Sequence, residues 1–155
     1  MSPRLRRVRA TLLVGAALGL MPVVGHAAEF RSVTHAAVLY DAPSKQARKR
    51  FVAPRGMPLE VVLTLGAWVK VKDVSGDVVW IERTDLAERR AVVTTTVATV
   101  RRDPQDGGAA VLQAERGILL EVVDTPPAEA VPGWLRVRHR DGGSGWVRTT
   151  EVWGV

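Results

Sequence analysis

The chain is 155 residues long, 46% hydrophobic and 25% charged, with a formal net charge of +6 and no cysteine. The missing thiols exclude disulfides, cysteine nucleophiles and thiolate metal sites. Four of the 22 basic residues, Arg4, Arg6, Arg7 and Arg9, lie at the N-terminus, so the remainder holds 18 basic against 16 acidic residues. That near balance gives a nucleic-acid partner no electrostatic footprint to bind.

Residues 1–27 follow the plan of a secretory signal peptide. A basic start is followed by the uncharged run Ala10–Val24 and by Gly25-His26-Ala27, which supplies small residues at the two positions a signal peptidase inspects. As a helix, that run reaches roughly 22 Å, short of the ~30 Å needed to span a bilayer. The expectation is a signal helix that is cleaved, a mature chain starting at Ala28, and a periplasmic location without a stable membrane span.

The mature sequence is dominated by a duplication. Gly56-Met57-Pro58-Leu59-Glu60-Val61-Val62 is matched by Gly117-Ile118-Leu119-Leu120-Glu121-Val122-Val123, and Pro43 by Pro104, each 61 residues on. Trp68 and Trp80 recur as Trp134 and Trp146, 66 residues on, with the five extra residues falling between Asp124 and Gly133. The expected division is 28–86 for the first module, 87–90 for a linker and 91–155 for the second.

In the first module, Ala36–Tyr40 reads as extended and Asp41-Ala42-Pro43-Ser44 as a turn. A polar loop carries Arg48, Lys49 and Arg50, and Phe51-Val52 returns. Leu59–Leu65 is a near-continuous apolar run, expected as a strand. Trp68-Val69-Lys70-Val71-Lys72 alternates, placing both valines on one face and Trp68 with the lysines on the other. A hairpin at Val74–Asp77, a returning strand Val78–Glu82 and a helical turn at Thr84–Leu86 complete it. The second module repeats this order. About five short strands in under 60 residues point to a small barrel.

These motifs resemble the bacterial SH3-like domain family, and more narrowly a proteobacterial secreted type with two tandem copies and a Trp-Gly-Val end, here Trp153-Gly154-Val155. The resemblance implies an all-β fold of two tandem small SH3-like β-barrels after the signal helix, and a role in cell-wall or protein binding. Val38-Leu39-Tyr40-Asp41-Ala42 is also similar to the Ala-Leu-Tyr-Asp-Tyr motif of peptide-binding SH3 domains. Ala42, Glu82, Asp85 and Arg101 replace groove residues of that pattern, so polyproline binding is not expected.

The expected binding residues are Tyr40, Arg48, Lys49, Arg50 and Trp68 in the first copy and Trp134 in the second. Large aromatics beside loops are common anchors, and the Arg48–Arg50 run suits acidic partners. Trp80 and Trp146 are expected in core or inter-strand packing, and Trp153 across the module interface. Of the histidines, only His35 and His139 lie beyond the signal segment. A Ser144, His139, Asp141 set falls on a strand and hairpin tip that would not hold it rigid, so no catalysis, metal or cofactor is expected. The reading is a non-enzymatic periplasmic binding or adaptor protein for a protein or peptidoglycan. The alternatives are a structural subunit of an envelope assembly and a cell-wall hydrolase.

Overall fold

The computed structural model describes residues 28–88 and 90–155. The expected signal segment, residues 1–27, lies outside the described residues. The first module runs β1 (Phe30–Val33), β2 (Ala37–Tyr40), β3 (Lys49–Ala53), β4 (Pro58–Leu65), β5 (Trp68–Lys72), β6 (Val78–Glu82), a 3₁₀ turn at Arg83–Asp85 and β7 (Leu86–Ala87). The second runs β8 (Ala91–Thr94), β9 (Ala98–Arg101), β10 (Ala110–Ala114), β11 (Leu119–Val122), β12 (Trp134–Arg138), β13 (Ser144–Arg148), a 3₁₀ turn at Thr149–Glu151 and β14 (Val152–Trp153).

Each module is a seven-stranded antiparallel sheet, and the two strand orders are the same: β3-β2-β6-β5-β4-β1-β7 and β10-β9-β13-β12-β11-β8-β14. The strand count exceeds the five expected because β1 and the two-residue β7 add to the first sheet, and β8 and the two-residue β14 to the second. β1 lies between β4 and β7, a place that the sequence periodicity alone does not mark.

Alternation builds the cores. Val69 and Val71 on β5 and Val79 and Ile81 on β6 are buried with Leu39 and Leu59 in one cluster. Val137 and Val147 are buried with Val100 and Leu120 in the other. Each fully buried side chain of this size contributes about 1.5–3 kcal/mol. The duplication extends to single hydrogen bonds. Gly56 N–H donates to Val33 O at 2.8 Å, and Gly117 N–H to Thr94 O at 2.9 Å. Thr34 N–H donates to Asp85 O, and Thr95 N–H to Glu151 O, both at 2.9 Å.

The apolar run Leu59–Leu65 does not stay in the core. The β4–β5 register shifts between Val61 and Leu63, a bulge that adds a residue and reverses the facing of the rest of the strand. Leu59 is fully buried, whereas Leu63 is 44% and Leu65 57% exposed.

The modules pack against each other. The rings of Phe30 and Trp153 meet edge to face, with centroids 4.9 Å apart, so Trp153 crosses the interface as the sequence suggests. Ser32 Oγ accepts a hydrogen bond from the Ala91 N–H at 3.0 Å. Gly154, at φ +113°, lies so close that a Cβ there would stand 2.9 Å from Ala91 O and 3.0 Å from Pro58 Cβ. Only glycine satisfies both the backbone angle and the approach.

Candidate functional site

The site is set by the outer face of the first sheet. Residues directly opposite in an antiparallel pair share a face. Leu63 stands opposite Lys70, Lys70 opposite Trp80, Trp80 opposite Tyr40 and Tyr40 opposite Lys49. The next row is Leu65, Trp68 and Glu82. One face therefore carries two leucines, three aromatics and two lysines. Tyr40 and Trp68 meet edge to face at 5.4 Å. Tyr40 is 8% exposed and Trp68 is half-buried. The Lys70 ammonium lies 5.9 Å from the centre of the Trp80 ring.

Trp80 is thus inter-strand packing on the outer face, not core. Its neighbours Val79 and Ile81 take the core positions.

Of the expected binding residues, the structure brings Tyr40, Trp68 and Lys49 onto this face. Arg48 is tied back to its own loop, its Nε 3.3 Å from Asp41 Oδ2 while its N–H donates to Asp41 Oδ1 at 3.1 Å. Arg50 is exposed in β3, where the pairing with β2 shifts register. Trp134 belongs to the second module.

The second module's face uses the same positions with different chemistry. Arg101 replaces Tyr40, and arginines at 136 and 148 replace Lys70 and Glu82. Trp134 stands opposite Arg148, whose guanidinium carbon lies 4.7 Å from the centre of the Trp134 ring. Asp106 holds that guanidinium, accepting from Arg148 Nε at 2.8 Å and pairing with its Nη2. The hydrogen bond to Arg148 lowers the Asp106 pKa from its usual 3.8, and the same bond raises that of Arg148. Arg101 Nη1 donates to Gly108 O at 3.0 Å. The β4 apolar extension has no equivalent, because the loop from Asp124 to Gly133 takes its place.

Each copy carries its own ion-pair clamp, with the charges swapped between them. Lys45 and Glu82 form an ion pair at 3.0 Å in the first module, and Asp106 and Arg148, their counterparts 61 and 66 residues on, form the pair in the second. The hydrogen bond to Glu82 raises the Lys45 pKa above 10.5. Neither pair is apparent from the sequence pattern. The signal is present as opposite charges at matched positions of the two copies, but the partners are far apart in the chain.

The remaining chemistry is sparse. His139 Nδ1 lies 3.2 Å from Asp141 Oδ2, but among the described residues no hydrogen bond joins Ser144 to His139. No group of three or more His, Asp or Glu among the described residues converges on a metal position.

Two small seven-stranded antiparallel sheets of the same strand order, each with tryptophans at matched positions, define an SH3-type module, present twice. The Bacterial SH3 domain model matches residues 33–88 and 95–154, and the chain belongs to that family, whose domains are binding modules. No curated protein is similar enough to count as a match. Among solved structures, NlpC2 from Trichomonas vaginalis is similar at 12% identity and TM-score 0.37, over 83% of this chain and 49% of that one. NlpC1 from the same organism matches at 13% identity and TM-score 0.36, over 85% and 48%. An NlpC/P60 family protein from Bacillus cereus ATCC 10987 matches at 16% identity and TM-score 0.35, over 80% and 55%. The chain spans about half the length of these proteins.

Proposed function

We propose that the chain is a non-enzymatic binding or adaptor protein of the periplasm, which recognises a protein or peptidoglycan partner through the outer face of its first module. The observation that supports this is the exposure of Leu63 and Leu65 beside Trp68, Trp80 and Tyr40 on a single sheet face. Aromatic and apolar residues with Lys70 among them and charges at the edge, here Lys49 and the Lys45–Glu82 pair, have the make-up of a binding patch. Contiguous exposed apolar surface of this kind is a common mark of interaction sites.

The test is retention of the full chain on purified peptidoglycan sacculi and, in parallel, capture of periplasmic proteins by the immobilised chain. Retention in either arm that is lost in Trp68→Ala supports the reading. Folded protein retained in neither arm contradicts it, as does clearing of peptidoglycan by the pure chain in a zymogram.

The exposed leucines also favour a second reading, a permanent subunit of an envelope assembly, because lasting interfaces are more apolar. Co-purification that survives high salt distinguishes it, since screening weakens polar rims and leaves apolar contacts in place.

A further inference from the structure

We infer that the cleft between the two modules is a second binding site, built for a short acidic peptide. The cleft measures about 880 Å³, within the usual range for ligand pockets. It is separate from the aromatic face. Its walls come from the Pro54–Gly56 turn of the first module, Arg90 and Ala91 at the junction, and Gly117–Glu121 with Arg138–Arg140 of the second. The interface contacts at Phe30–Trp153 and Ser32–Ala91 hold those walls together.

Its charge is one-sided. Four arginines line it, Arg55, Arg90, Arg138 and Arg140, against one carboxylate, Glu121. Glu121 pairs with Arg138 at 3.1 Å. Arg140 reaches only Asp141, at 3.7 Å, with its side chain 88% exposed. Arg55 and Arg90 have no ion-pair partner among the described residues. The cleft therefore offers unneutralised guanidinium groups, whose planar forks match carboxylates two bonds at a time.

The rest of the lining selects among anions. Ile118 and Leu119 give the cleft apolar surface, which suits the side chains of a peptide and offers nothing to a chain of phosphates. The four arginines border one hollow of about 880 Å³, whereas polyphosphate and nucleic-acid backbones are followed along a longer basic track. Carboxylates spaced by apolar residues satisfy both parts of the lining.

The probe is a capped pentapeptide of alternating glutamate and leucine, titrated into the full chain and followed by calorimetry and by backbone amide shifts. Saturable binding is expected, weakening with salt, with shifts at Gly56, Ile118 and Leu119. The Arg55→Gln, Arg90→Gln double variant should bind at least about tenfold more weakly, given the strength of charge-assisted hydrogen bonds. Trp68→Ala should bind the peptide normally, which separates this site from the one proposed above. Absence of saturable binding overturns the inference. So does undiminished binding by the double variant, a shift map centred on the aromatic face, or displacement of the peptide by equimolar tripolyphosphate. Because Arg55 and Arg90 are exposed, the double variant should keep the native circular dichroism spectrum. Should it unfold, the unmodified chain's shift map decides.

Discussion

Replacing Trp153 by Ala should uncouple the two modules. Trp153 pairs with Val93 in the β8–β14 ladder and meets the Phe30 ring at 4.9 Å and 85°. The edge-to-face contact is worth ~0.5–1.5 kcal/mol beyond the area it buries. Complete loss of a core Trp costs about 3–5 kcal/mol. Trp153 is only half-buried, so roughly 2–3 kcal/mol is the expected total. Domains near 60 residues bury only ~60% of their unfolded surface and are marginal alone, so a loss of this size at the shared surface should separate their unfolding. Calorimetry is expected to give one cooperative transition for the native chain, with calorimetric and van't Hoff enthalpies in agreement. The variant should give a first transition several degrees lower and a second, distinct one. Were Trp153→Ala to melt in one transition at an unchanged temperature, the modules would not share stability across this contact.

Three further outcomes are expected. Gly154→Ala should destabilise the chain by about 1–3 kcal/mol in chemical denaturation, because φ is +113° and the added Cβ meets Ala91 O and Pro58. Asp73→Ala should cost about 1–3 kcal/mol in the same assay. Asp73 is 5% exposed, and its Oδ1 accepts from Ser75 N, Ser75 Oγ and Asp77 N at 2.9, 2.6 and 3.0 Å, closing the β5–β6 hairpin. The Asp106–Arg148 clamp over Trp134 should be insensitive to pH around neutrality. Asp106 has a lowered folded pKa, so its contribution is full above the ordinary value of 3.8 and fades as pH falls through the lowered one. The Trp134 indole N–H resonance, followed by acid titration, should move only in that acid range, and Asp106→Asn should bring the same shift at neutral pH.

The duplication and the succession of its elements along the chain are legible in the sequence because Gly, Pro, Glu and Trp recur at matched positions, whereas the places of β1 and β7 in the sheet are not. The period-2 pattern of Trp68–Lys72 by itself places Trp68 outside and Val69 and Val71 inside. Trp153 is legible as an interface residue because a large aromatic just after the last turn of the second module, with only a short connection between the modules, is placed to meet the first. The exposure of Leu63 and Leu65 is not legible. A run of apolar residues carries no mark of the bulge after Val61, and the bulge alone decides which side they face. Trp80 is hard to place for a related reason: its face depends on register with β5, which no local pattern fixes. The Lys45–Glu82 and Asp106–Arg148 clamps and the arginine cleft depend on tertiary approach between distant segments. For the clamps, only the charge exchange between copies gives a hint.

The central claim is that the copies have diverged, with the first offering an open apolar and aromatic face and the second a face on which an arginine covers the tryptophan. Retention of Trp68→Ala and Trp134→Ala, measured side by side on whichever partner or sacculus holds the native chain, tests it most directly. The account predicts at least about tenfold weaker retention for Trp68→Ala, the loss expected of an aromatic anchor, and native retention for Trp134→Ala. Equal losses in both variants, or a loss confined to Trp134→Ala, would contradict it.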